Sequence, residues 1–202
     1  RETLGKPRPP IMAVTGRPGL APVPSPPHPF SRWSGQKHTR KERYDSLTAE
    51  MQGAARRLLI CGMHVHVGID DDALRIDLMN QMRYFVPHLL AMSTSSPFWE
   101  GVDTGLKSYR LTIFDALPRT GLPKRFESFA EYDRHVKILV NAGLLEDATK
   151  IWWDIRTSAR YPTLETRIVD VCTRLEDAIS LAALTMCILR MMYRLRIKNQ
   201  RW

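Results

Sequence analysis

The chain lacks the usual materials of a zinc ribbon, a disulfide framework or a glycine-lined phosphate loop. Its three cysteines, Cys61, Cys172 and Cys187, are widely spaced and odd in number, with no Cys-x-x-Cys pair. That pattern predicts buried, unpaired thiols in a reducing cytoplasm. Neither Gly-x-Gly-x-x-Gly nor a Walker-type loop occurs, so the two common glycine-loop routes to nucleotide binding are missing. No uninterrupted apolar run approaches the roughly 20 residues of a membrane span. The most apolar stretch, Ile179 to Met192, is broken by Arg190 and reads as a buried core helix. No basic start, apolar run and small-residue cleavage site opens the sequence, so no secretory leader is read there.

Acidic residues are scarce at one end. Residues 1–40 hold seven Lys/Arg against one acid, Glu2, whereas residues 41–202 hold 23 basic and 20 acidic residues. Most of the net charge of +9 therefore belongs to the first 40 residues, and the remainder is nearly balanced. A pI near 9.8 invites a nucleic-acid partner. The distribution argues against one, because no basic face is needed to account for it. Apolar residues at 44% and charged residues at 25% describe a globular domain with a sizeable core.

Nine of the 14 prolines lie in residues 1–29. Such density excludes helix interiors and central strands, so residues 1–27 read as an irregular lead-in with one short strand near Ile11–Val14. Helical spacing predicts a helix from Thr39 to Leu59 and another from Ala73 to Ala91, kinked at Pro87. Asp70, Asp71 and Asp72 suit the N-terminus of that second helix, with a divalent-cation site as the alternative. Residues 93–121 read as long loops around a strand at Tyr109–Phe114. A helix at Phe129–Ala142 ends at Gly143. Strands follow at Ile151–Ile155 and Pro162–Val171, then a last helix from Leu175 to Lys198.

Two stretches carry chemistry. In Cys61-Gly62-Met63-His64-Val65-His66-Val67-Gly68-Ile69, strand alternation puts Cys61, Met63, Val65, Val67 and Ile69 on one apolar face. His64 and His66 share the other face with two glycines. Two imidazoles about 7 Å apart along a strand can address one metal–phosphate cluster; the competing reading is a polar face turned to water. In Thr163-Leu164-Glu165-Thr166-Arg167, Glu165 and Arg167 share a face. A carboxylate can hold Mg²⁺ and a guanidinium can neutralise a transferred phosphoryl group, although an ordinary salt bridge fits equally. Arg156 and Arg160 in the Trp152–Arg160 stretch can clamp an anion, or can cover tryptophans with their stems. Lys107 and Arg110 add cations beside hydroxyls.

Several of these segments in the same order resemble one family. They are Met63–Gly68, Ser93–Gly101, Asp103–Arg110, Pro118–Gly121, Trp152–Arg156 and Pro162–Asp170, and the resemblance runs from about His28 to Trp202. The sequence is similar to type 2 glutamate–cysteine ligases, in particular the YbdK-type carboxylate–amine ligases of the glutamine synthetase-like superfamily. The resemblance implies an α+β fold: a curved, largely antiparallel sheet with helices packed on its convex face. It implies His64 and Glu165 as Mg²⁺ ligands, His66 as a contact to ATP phosphate and Arg167 as the cation that stabilises the transferred phosphoryl group. By residue type, Arg156 and Arg110 join Arg167 as candidate catalytic cations, and Lys107 and Arg160 join His66 as candidates to face the nucleotide. The implied activity is ATP-dependent amide formation between glutamate and an amine such as cysteine, through an acyl phosphate. Small-molecule substrates, no nucleic acid, no membrane and a possible homo-oligomer complete the expectation.

The family's opening strand of closely spaced glutamates has no counterpart here, and its arginine-rich tail stops at Gln200-Arg201-Trp202. Residues 28–202 are therefore expected to be a partial copy of the catalytic domain. A catalytically incomplete fragment with a structural or interaction role is the alternative function.

Overall fold

A computed structural model describes residues 27–35, 53 and 57–202. The Pro-rich lead-in (apart from Pro27) and most of the helix expected at 39–59 lie outside these residues.

The architecture is α+β. Strand β1 (Val65–Gly68) precedes helices α1 (Asp72–Met82) and α2 (Val86–Ser93), the short strands β2 (Phe98–Trp99) and β3 (Val102–Asp103), and helix α3 (Arg110–Phe114). Helix α4 (Phe129–Asn141), strands β4 (Ile155–Thr157) and β5 (Thr163–Thr166), and helix α5 (Leu175–Ile197) follow. The main sheet is antiparallel in the order β1-β5-β4, and β2 and β3 form a separate antiparallel pair.

Alternation along the strands decides which face is which. Val65, Ile155 and Leu164 are buried in the core with Thr166 beside them. Burying each large aliphatic side chain stabilises the fold by about 1.5–3 kcal/mol. That face meets α1, which contacts β4 and β5, and α5, which contacts β1. Helix α1 presents Ile76, Met79 and Met82 at helical spacing. Asp71 caps it, its carboxylate accepting from the Leu74 N–H at 2.8 Å. The opposite sheet face carries the polar residues.

Several sequence expectations are corrected. Tyr109–Phe114 is not a strand: Arg110–Phe114 is helical, because Arg110, Ile113, Phe114 and Leu117 are the buried positions and they recur at three and four residues. The kinked 73–91 helix is two helices, and Pro87 sits in the first turn of the second, where its missing N–H has no bond to lose. The strand expected at Ile151–Ile155 begins only at Ile155. Upstream of it, the Trp152 and Asp154 N–H groups bond to the carbonyls of Arg119 and Gly121 instead of a strand partner.

The histidine strand is shorter than the alternating stretch. Val65 pairs with Thr166, while Gly62 bridges to Asp170, a register offset of one residue. Met63, Val67 and Ile69 pack against the core as expected, but Cys61, beyond the end of β1, is exposed. Cys187 is exposed as well, and of the three thiols only Cys172 is buried. The last helix is not buried all round either: Leu181, Thr185, Leu189 and Met192 form a single buried stripe. By length and composition Leu175–Ile197 is apolar enough to cross a membrane, with 22% of its most apolar window buried. Arg190 and Arg194 lie within that helix, so it holds no uninterrupted apolar run of span length.

Candidate active site

Glu165 is the centre of the polar face. Register places it directly between His66 on β1 and Arg156 on β4. Two residues along each strand, His64, Arg167 and Asp154 fall on the same face by strand alternation. Glu165 is buried, and its partners His64, His66, Arg156 and Arg167 are cationic or can become so. Arg167 donates to its Oε1 at 2.6 Å and Arg156 Nε donates to its Oε2 at 2.8 Å. His64 Nδ1 lies 3.2 Å and His66 Nε2 3.7 Å from Oε1.

Burial alone would raise the Glu165 pKa. Hydrogen bonds from His64 and Arg156, with the Arg167 charge, override it and hold the carboxyl well below the usual range. The His64 pKa is lowered as well. Burial depresses its imidazole despite the attraction of Glu165, with Arg167 adding to the depression. The ring therefore favours its neutral form, which is the form that ligates metals.

His66 is aimed by a partner that the sequence reading did not single out. Its Nδ1 and the Thr163 Oγ1 are 2.9 Å apart, which turns Nε2 toward Glu165. Ligand atoms from His64, His66 and Glu165 lie within 4.8 Å of one another. The sequence reading gave the metal to His64 and Glu165 and the phosphate to His66; the geometry adds His66 to the same cluster. Two imidazole nitrogens and one carboxylate can hold a divalent cation; Mg²⁺ takes the carboxylate but favours oxygens over the imidazoles. More nitrogen-tolerant ions suit the same donors.

The remaining candidates divide. Arg156 belongs to the cluster and also donates to the carbonyls of Thr149 and Ile151. Arg110 lies behind the face, donating to the carbonyls of Arg167 and Ile168 at 3.1 Å each, with Asp170 at 3.7 Å. It holds the strand that carries Arg167. Lys107 is exposed in the loop before α3. Arg160 lines a different cavity beyond the β4–β5 turn, with Arg75 and Tyr132.

Two acids were missed. Asp170 is fully buried and accepts from Ser96 Oγ at 2.7 Å, Ser108 Oγ at 3.0 Å and the Ser95 N–H at 3.2 Å. It ties the 93–110 loops to the sheet. Asp154 has its pKa pushed up to about 6 by burial and by Asp115, against the opposing pull of Arg110 and Arg167. Strand alternation from Arg156 was the available signal for Asp154. Nothing local marks Asp170, whose side-chain partners lie 60 or more residues away.

Next to His64 a cavity of about 520 Å³ opens. Arg110, Arg167 and Lys150 supply its charge, and Phe114, Leu117 and Trp152 supply apolar wall.

A buried carboxylate ringed by imidazoles and guanidiniums on one face of an antiparallel sheet is an arrangement that can hold anions and a cation together. Comparison with known sequences gives it a family. The profile described as "Glutamate-cysteine ligase family 2(GCS2)" matches residues 2–199, and the chain belongs to that family. A protein of Rhodospirillum rubrum named "Putative glutamate--cysteine ligase 2" is 66% identical over 184 residues, covering 91% of this chain and 47% of its own length. Proteins of the same name from Ruegeria pomeroyi and Jannaschia sp. are 58% and 57% identical, covering 100% and 95% of this chain and 53% and 51% of their own lengths. The chain thus spans about half the length of the curated relatives it matches.

Proposed function

We propose that this chain carries the metal- and phosphate-facing part of an ATP-dependent carboxylate–amine ligase of the glutamate–cysteine type. The observation that carries the reading is the convergence of His64, His66, Arg156 and Arg167 on Glu165. In the proposed reaction a substrate carboxylate oxygen, that of the glutamate γ-carboxyl, attacks the γ-phosphorus of ATP and ADP departs. The amine nitrogen of cysteine or a similar molecule then attacks the acyl carbon and phosphate leaves.

His64, His66 and Glu165 would hold Mg²⁺, which when bound supplies neutralisation of phosphate charge. Arg167 and Arg156 are fixed by Glu165 before any ligand enters, so they would meet developing charge without reorganising. The glutamine synthetase-like curvature of the sheet, a cytoplasmic location and self-association belong to this proposal. The half-length coverage of relatives favours a second reading, a piece that is inactive until completed by further chain.

Phosphate release from ATP in the presence of glutamate and cysteine tests both. Release by this chain that is lost in His64→Ala supports the ligase in its present form. Release only by a protein of full family length supports the second reading. No release from either defeats the ligase assignment.

A further inference from the structure

Helix α5 buries one line of side chains, Leu181, Thr185, Leu189 and Met192. At about 3.6 residues per turn, Glu176, Ala183, Cys187 and Arg194 fall on the opposite line, and all four are exposed. Leu184 and Met186 flank that line on its two sides, at 36% and 57% exposure. Between Asp177 and Arg190 the helix carries no charge. The outward face is thus apolar along its middle and charged at its ends, negative at Glu176 and Asp177 and positive at Arg190 and Arg194. Among the described residues no ion pair or hydrogen bond engages these four side chains. The neighbouring Arg196, by contrast, is paired with Asp77.

Glu176 and Arg194 are 18 residues apart, about five full turns and about 27 Å. They share one line and lie symmetrically about the level of Thr185. A second copy of α5 laid antiparallel across this face, with a two-fold axis at that level, brings Glu176 of each copy to Arg194 of the other. The same rotation sets Ala183 opposite Cys187 and brings Leu184 and Met186 each beside its own counterpart. A lipid surface would meet the same apolar strip but would offer Glu176 no counter-charge, so charge complementarity selects the second copy. We propose that the outward face of α5 is a self-association surface, on which two copies of this chain pack antiparallel with Glu176 and Arg194 matched at both ends. It gives the self-association proposed above a surface, and it needs none of the ligase chemistry.

Sedimentation equilibrium reads the dimer, with a wild-type dissociation constant of about 1–50 µM expected. Glu176→Arg or Arg194→Glu alone replaces two attractions by two repulsions and is expected to weaken the dimer at least about tenfold. The two substitutions together restore the match with signs reversed, and the dissociation constant is expected to return to within about threefold of wild type. Because that double variant carries both changes, its recovery also shows that neither one unfolds the chain. The losses in the single variants are expected to shrink at about 1 M salt. A wild type that stays monomeric to about 100 µM overturns the proposal and leaves the face to further chain of a family-length protein. Single variants that dimerise as well as wild type overturn it, as does a double variant no better than either single one. Capture of the monomer by phosphatidylcholine vesicles also overturns it and makes the strip a lipid contact. None of these measurements uses nucleotide, so the dimer and the ligase reading stand or fall separately.

Discussion

The guanidinium of Arg110 lies in the space that a side chain at Gly62 would need: a Cβ built there stands 2.2 Å from Arg110 Nη2 and 2.7 Å from its Cζ. The glycine before the first histidine is therefore a passage for the cation that braces the Glu165–Arg167 strand. Gly62→Ala is expected to push Arg110 off the carbonyls of Arg167 and Ile168, at a cost of about 1–3 kcal/mol. Urea denaturation of the variant measures it. An unchanged midpoint would mean that Arg110 has another route.

Glu165→Gln removes the charge on which two guanidiniums depend. Arg156 and Arg167 are then left uncompensated at a mostly buried site, and a loss of about 3–5 kcal/mol is expected at neutral pH. The native carboxyl is held below its ordinary pKa, so its contribution is fully present above the unfolded value of 4.5 and drains away as pH falls below it. Denaturation midpoints of wild type and variant should converge in acid.

Asp154 has the opposite sign. Its folded pKa of about 6 exceeds the reference value of 3.8, so the native state holds a proton there that the unfolded chain has already lost. Stability falls as pH rises from about 4 to 6 and is constant above that. Asp154→Asn should remove this slope and raise stability at pH 7 by up to about 2–3 kcal/mol. Thermal melts from pH 4 to 8 check both points.

Thr163→Val keeps the shape of the side chain and deletes the oxygen that orients His66. If His66 joins a metal cluster, freeing its ring should weaken divalent-ion affinity about 10–100-fold while leaving stability nearly unchanged. Titration with Mn²⁺ as a paramagnetic probe reads the affinity, and an unaltered affinity would take His66 out of the ligand set.

Much of this site was legible in the chain because strand alternation is a local rule. His64 with His66, and Glu165 with Arg167, each follow from a spacing of two. Their meeting is set by the β1–β5 register, which no local pattern states. The same limit explains the errors. Cys61 obeys the alternation in sequence, but it lies beyond the end of β1 and is exposed. Tyr109–Phe114 has strand-forming residues, yet its burial follows a helical period that becomes visible only when Leu117 is counted with it. Asp170 serves partners from two distant loops, and distance in sequence hides such a residue completely.

Strand β5 is clasped on both sides, whereas β1 has a single neighbour among the described residues. The acid and the guanidinium of the centre thus ride on the innermost rail, and both imidazoles ride on an outer one. Among the described residues the carboxylate is anchored from both flanks, and the His66 ring meets it from one of them.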